Sequence, residues 1–144
     1  MLFIQQQPDM KLIKAESKLD ENLPEALIDP KQIEQVLLNL IINAVQAMPD
    51  GGYLRIQTSF APANNLVRMM IQDTGEGIPV ETQKKIFQPF FTTKSKGVGL
   101  GLVLCKEVVT RHNGRIQFES KAGAGTTFTV ELPVGSLETL QSKI

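Results

Sequence analysis

The sequence holds one cysteine, Cys105, one histidine, His112, one tyrosine and no tryptophan. A single cysteine excludes an intrachain disulfide and fits a reducing compartment. One histidine and one cysteine also fall short of the usual ligand set of a protein zinc site. Net charge is missing as well, because 15 Lys and Arg balance 15 Asp and Glu. A neutral chain does not read as a nucleic-acid binder or a polybasic membrane surface. No apolar run approaches the roughly 20 residues of a membrane span, and the first residues do not read as a signal peptide. What is there, 144 residues with 42% apolar and 21% charged, is the composition of one globular domain. A chain of this size buries about two-thirds of its unfolded surface and needs no covalent staple.

Two features are sorted along the chain. Eight of the 11 glycines fall between residues 75 and 125. Glu16 to Glu34 holds six acids and two bases, whereas Glu81 to Arg115 holds seven bases and two acids. Glycines that allow close backbone approach, interleaved with lysines, suit an anionic ligand; loops with a solvated basic face would look the same from composition alone.

Periodicity orders the elements. Met10–Glu16 alternates and reads as a strand. Asp29-Pro30 starts a helix, the Asp as cap and the Pro at the first helical position. Ile33, Val36, Leu37, Leu40, Ile41, Ala44 and Met48 carry that helix's apolar stripe to about Met48. Pro49-Asp50-Gly51-Gly52 ends it. Strands at Tyr53–Ser59 and Leu66–Gln72 form a hairpin. A short helix is expected over Val80–Phe87, a loop over Gln88–Gly97 and a second long helix over Gly99–His112. Strands Arg115–Ser120 and Thr126–Leu132 close the fold. Helices grouped on one face of a mixed, roughly five-stranded sheet make an α+β two-layer sandwich with about three helices.

Several residues carry possible chemistry. Asn39 and Asn43 lie four apart on one helix face among apolar neighbours, where an amide needs partners. An amide oxygen on a rigid helix is also a neutral ligand for Mg2+. Asp73 ends a strand just before Gly75 and Gly77; it is either a turn former or a buried acceptor for an exocyclic amine. Gly97-Val98-Gly99-Leu100-Gly101-Leu102 opens a helix after Lys94 and Lys96, an anion site by dipole and free N–H groups. Its spacing matches neither a dinucleotide fingerprint nor a P-loop. Cys105 reads as a core residue, and His112 as a helix-end or surface residue rather than a catalytic one.

Taken in order, these segments resemble the ATP-binding catalytic domain of sensor histidine kinases, within the superfamily of DNA gyrase, MutL and the heat-shock chaperone ATPases. The N box is Gln35-Val36-Leu37-Leu38-Asn39-Leu40-Ile41-Ile42-Asn43-Ala44. The glycine boxes are Asp73-Thr74-Gly75-Glu76-Gly77-Ile78 and Gly97-Val98-Gly99-Leu100-Gly101-Leu102. The F box is Phe87-Gln88-Pro89-Phe90-Phe91-Thr92-Thr93-Lys94, and Gly123-Ala124-Gly125-Thr126-Thr127-Phe128 matches the closing strand. The resemblance covers about residues 10–133, with 1–9 reading as the end of an N-terminal helix and 134–144 as a tail.

The resemblance implies an ATP site with Mg2+. Asn43 would hold the metal, and Asp73 would accept from the adenine amino group. Gly75 and Gly77 would shape the base pocket, and Thr126 would support it. Lys94, Lys96, Gly97, Gly99, Leu100 and Gly101 would meet the phosphates, with Phe91–Val98 as a short lid of the nitrogen-regulator or sporulation-kinase type. Asn39 stands where hydrolytic members place a general-base Glu, so the likeness implies phosphoryl transfer rather than hydrolysis. Lys94 and Asn39 are the catalytic candidates. The implied partners are a histidine-bearing dimerisation domain of the parent kinase and a downstream response regulator, without nucleic acid or membrane insertion by this chain. The implied location is the cytoplasm, with a parent protein open to membrane anchoring. The chain then reads as a catalytic fragment that binds Mg-ATP without phosphorylating itself. A nucleotide-binding regulatory module without transfer activity, and a protein-serine kinase of the anti-sigma-factor type, are the alternatives.

Overall fold

A computed structural model describes residues 12–89, 91 and 101–135. Its strands are β1 (Ile13–Lys18), β2 (Gly52–Ala61), β3 (Leu66–Asp73), β4 (Arg115–Lys121) and β5 (Gly125–Pro133). Its helices are α1 (Pro30–Gln46), the single turn α2 (Val80–Gln83) and α3 (Gly101–Arg111). The sheet order is β1-β2-β3-β5-β4. β1 runs parallel to β2, with α1 as the crossover between them, and every other neighbour is antiparallel. The architecture is the expected mixed α+β sandwich.

Local chemistry explains the helix ends. Asp29 caps α1: its Oδ1 accepts from the backbone N–H groups of Lys31 (3.0 Å) and Gln32 (3.4 Å), and Pro30 follows at the first turn. The cap satisfies donors that a helix start leaves without partners. His112 fastens the end of α3 to this same start. Its Nδ1 donates to the Val108 carbonyl at 2.8 Å, and its Nε2 accepts from the Asp29 backbone N–H at 3.0 Å. A carbonyl accepts and an amide N–H donates, so the two partners fix one neutral tautomer.

Ile33, Val36, Leu40, Ile41, Ala44, Val45 and Met48 of α1 and its end pack with Leu54, Ile71, Phe128, Val130 and Leu132 from the sheet. Cys105 and Val109 seat α3 on the same core, each at most 1% exposed. The other sheet face is polar. In the register that pairs Arg68 with Glu131 and Arg115 with Glu131, the central carboxylate takes one arginine on each oxygen at 2.8 Å.

Most boundaries differ from expectation by one or two residues, and larger differences fall at β1 and at the helix after Pro79. β1 begins at Ile13, with Met10 and Lys11 outside the described residues, and only Ile13 is buried. β1 is an edge strand, so the alternation in Leu12–Ala15 is not matched by cover over its length. The helix expected over Val80–Phe87 stops at Gln83, and turns bonded from Lys85 to Thr82 and Gln88 to Lys85 take over. At the C-terminal end, Val134 bridges to Ala26, and the Gly135 N–H donates to Glu25 at 2.8 Å.

Candidate functional site

The candidate site lies where β3, β4 and β5 end. Asp73 is the last residue of β3, directly across from Thr126 on β5, which in turn faces Ser120 on β4. Along each strand, alternate residues point to the helices, so this row sits under the helical layer. The row is polar where the rows before it are apolar, such as Ile71, Phe128 and Phe118. A cavity of about 330 Å³ opens at these strand ends; its lining takes Asp73, Ser120 and Thr126 from this row and Gln72, Glu119, Lys121 and Thr127 from the opposite sheet face, with Ala124 and Gly125 at the β4–β5 turn.

Asp73 is 6% exposed. Its Oδ1 accepts from the Gly75 N–H at 2.9 Å and the Thr126 N–H at 3.2 Å. Burial raises its pKa above the ordinary carboxylate value; the two backbone N–H groups oppose that, and the Glu76 charge adds to it. Both bonds fall on one oxygen, so among the described residues the acceptor capacity of Oδ2 is left for a ligand donor. A buried carboxylate with a spare acceptor at a cavity wall is suited to a neutral N–H donor such as an exocyclic amine.

The glycines around it answer first to the protein. A Cβ on Gly75 would sit 2.3 Å from the Ala47 carbonyl oxygen, and Glu76 donates to that same oxygen at 3.1 Å. Gly77 has φ +71°, and its Cβ would meet the Lys121 carbonyl oxygen at 2.1 Å. These positions let the loop after β3 press against the end of α1 and the β4–β5 turn. Gly101 differs: among the described residues, nothing lies within 4 Å of its Cβ position.

Asn39 and Asn43 lie one turn apart on α1 and are both half-buried. The Cys105 thiol on α3 donates to the Val36 carbonyl on α1 at 3.8 Å. Burial pushes the Cys105 pKa up to about 11, with the Asn39 amide opposing it. Cys105 is thus an inert core residue that ties the two long helices together. Lys94, Lys96, Gly97, Gly99 and Leu100 lie outside the described residues. Among the described residues, no group of three or more His, Cys, Asp or Glu side chains could hold a metal, so a metal here would rest on an amide and on ligand oxygens.

Two residues were missed by sequence reasoning. Ser120 accepts from the Ile78 N–H at 2.8 Å, contacts the Thr126 hydroxyl at 2.7 Å and donates to the Gly125 carbonyl at 3.2 Å. Gln83 donates from Nε2 to the carbonyls of Ile78 (2.9 Å) and Ser120 (3.2 Å). A polar residue on the helix-facing side of β4, after Ile116 and Phe118, was the available signal for Ser120.

An α+β sandwich with an amide pair on one helix, a buried carboxylate at a strand end and a glycine-opened second helix defines a class of nucleotide-site folds. Comparison with known proteins places the chain within it. Residues 28–136 match the family described as histidine kinase-, DNA gyrase B- and HSP90-like ATPase, and the chain belongs to that family. It is 46% identical over 118 residues to the signal transduction histidine-protein kinase AtoS of Escherichia coli (strain K12), covering 82% of this chain and 19% of that protein. It is 41% identical over 108 residues to sporulation kinase C of Bacillus subtilis (strain 168), covering 75% and 25%. Among solved structures, the nucleotide-free catalytic domain of histidine kinase ThkA superposes with TM-score 0.79 at 32% identity, covering 92% of this chain and 86% of that one. Full-length ShkA in complex with AMPPNP superposes with TM-score 0.78 at 27% identity, covering 92% and 28%. The chain spans about a fifth to a quarter of the length of the curated relatives it matches. Among the described residues, no helix is long and apolar enough to cross a membrane.

Proposed function

We propose that this chain is the catalytic domain of a sensor histidine kinase, binding Mg-ATP and passing the γ-phosphoryl group to a histidine on a separate dimerisation domain. Residues 10–133 form that domain in this reading, and a response regulator receives the phosphoryl group afterwards. The observation that carries it is Asp73: a buried carboxylate with a spare acceptor, at the end of a central strand beside a cavity. It would take the adenine amino group, with Gly75 and Gly77 closing the loop over the base and Thr126 beside it. Asn43 would offer its amide oxygen to Mg2+, which neutralises charge on the phosphates when bound. Gly101 would let the backbone at the start of α3 approach those phosphates, with Gly97, Gly99 and Leu100 before it. Lys94 and Lys96 would supply positive charge.

Asn39 supports transfer over hydrolysis. An amide does not remove a proton from water. The protein's contribution would be positioning and charge stabilisation, which is the larger part of phosphoryl-transfer catalysis. The AMPPNP named with ShkA supports a nucleotide as the ligand of this fold. The test supplies a purified dimerisation domain from a histidine kinase and labelled ATP. Acid-labile label on that domain, lost with Asp73→Ala, is expected. ATP binding without transfer to any supplied domain would favour a regulatory nucleotide-binding module.

A further inference from the structure

The geometry points to Ser120 as a positioning residue for the base end of the site, fixing both the loop after Asp73 and the start of β5 that holds the Asp73 carboxylate. This rests on the ATP reading above and goes beyond it to what selects the base. Ser120 sits in register with Thr126 and one strand further from Asp73. Its single oxygen does three things. It accepts from the Ile78 N–H at 2.8 Å, donates to the Gly125 carbonyl at 3.2 Å and meets the Thr126 oxygen at 2.7 Å. Gly125 and Thr126 are the residues that bring β5 against Asp73, the second through its N–H to Oδ1 at 3.2 Å.

A hydroxyl has one proton and two acceptor sites. The Ile78 N–H occupies one acceptor site on Ser120. Its proton and remaining acceptor site tie Gly125 and Thr126 to β4, so the loop after Asp73 and the N–H that holds Asp73 Oδ1 are fixed from one point. Adenine presents an amine to Asp73, whereas a 6-oxo purine presents an acceptor there, so loosening the frame around Asp73 weakens the first more than the second. Gln83 braces the same contact from the far side by holding the Ile78 and Ser120 carbonyls together.

The experiment compares ATP, inosine triphosphate and inorganic tripolyphosphate by calorimetric or competition binding to the wild-type chain, Ser120→Ala and Asp73→Asn. Ser120→Ala is expected to weaken ATP about fivefold, the worth of one net hydrogen bond. The preference for ATP over inosine triphosphate is expected to shrink by a similar factor, with tripolyphosphate unchanged. An equal loss for all three ligands would make Ser120 a purely structural residue and overturn the inference, as would unchanged ATP binding and preference. If Ser120→Ala does not fold, Ser120→Cys keeps the volume with a weaker bonding group, and the same ratio decides. Failure of the underlying ATP reading looks different: the wild type would not bind ATP, or Asp73→Asn would leave its binding intact.

Discussion

Replacing Asp73 with Asn changes one atom at the centre of the candidate site. The amide oxygen keeps the two backbone bonds from Gly75 and Thr126 (2.9 and 3.2 Å), so the NH2 group takes the place of Oδ2. A donor then faces the adenine amine, which is itself a donor. The loss is one hydrogen bond to a charged acceptor, about 1.5–3 kcal/mol, or roughly 10- to 100-fold in ATP affinity. GTP, whose base offers an acceptor at that position, should lose less, and the ATP:GTP preference should narrow. Stability should move the other way. Burial holds the Asp73 pKa above 3.8 in the folded state, so folding binds protons more readily than the unfolded chain does. Between that ordinary value and the raised one, the wild type loses stability as pH rises, and at neutral pH the carboxylate is a net cost. Asp73→Asn should therefore be at least as stable as wild type at pH 7. Its advantage should fade on acidification below about pH 4. Calorimetric titration with ATP and GTP, and urea unfolding at pH 7 and pH 4, measure both halves. A variant that binds ATP as wild type does would refute the role of Asp73 as base acceptor. A variant much less stable at pH 7 would refute the claim that burial outweighs its backbone bonds.

Gly77→Ala forces a side chain onto φ +71° and into the Lys121 carbonyl; a loss of about 2–3 kcal/mol is expected in urea unfolding. Glu131→Gln removes the charge shared by Arg68 and Arg115. Hydrogen bonding from Arg115 leads the causes that hold the Glu131 pKa below 4.5. The stabilisation is thus present above that value and lost as pH falls through the lowered one. A cost of about 1–2 kcal/mol at pH 7, discounted because Arg115 is exposed and Arg68 only half-buried, and shrinking in acid, is expected from pH-dependent unfolding. Asn39→Glu should raise steady ATP hydrolysis by the chain alone in a coupled-enzyme assay, because a carboxylate four residues before Asn43 supplies a general base; unchanged turnover would count against the Asn39 argument. Labelled ATP should leave no stable label on His112, whose ring nitrogens already hold the Val108 carbonyl and the Asp29 N–H.

Local rules are written in this sequence where one residue satisfies one backbone need. Asp29-Pro30 starts α1, and Asn113-Gly114 divides α3 from β4. The spacing of Ile33, Val36, Leu40 and Ala44 fixes the buried face of α1, because a helix brings every third and fourth residue to one side. Asp73 before two glycines also reads as an ordinary turn; it became a candidate site residue through its place among the other boxes. Gly75 and Gly77 were legible as special positions, but not for the reason that governs them: the Ala47 and Lys121 carbonyls that crowd them come from elsewhere in the chain. β1 was misjudged at its ends because alternation describes a strand without saying whether anything covers it.

The sequence by itself determined the order of the elements and the buried helix faces, which follow from periodicity and capping acting over a few residues. Its resemblance to a family supplied the residues proposed to meet Mg-ATP. Only the tertiary structure decided that Ser120 stands beside Thr126, that Cys105 reaches the Val36 carbonyl, and that His112 closes on the cap of α1. Each joins segments far apart along the chain, and strand register and helix packing, not local preference, set those distances.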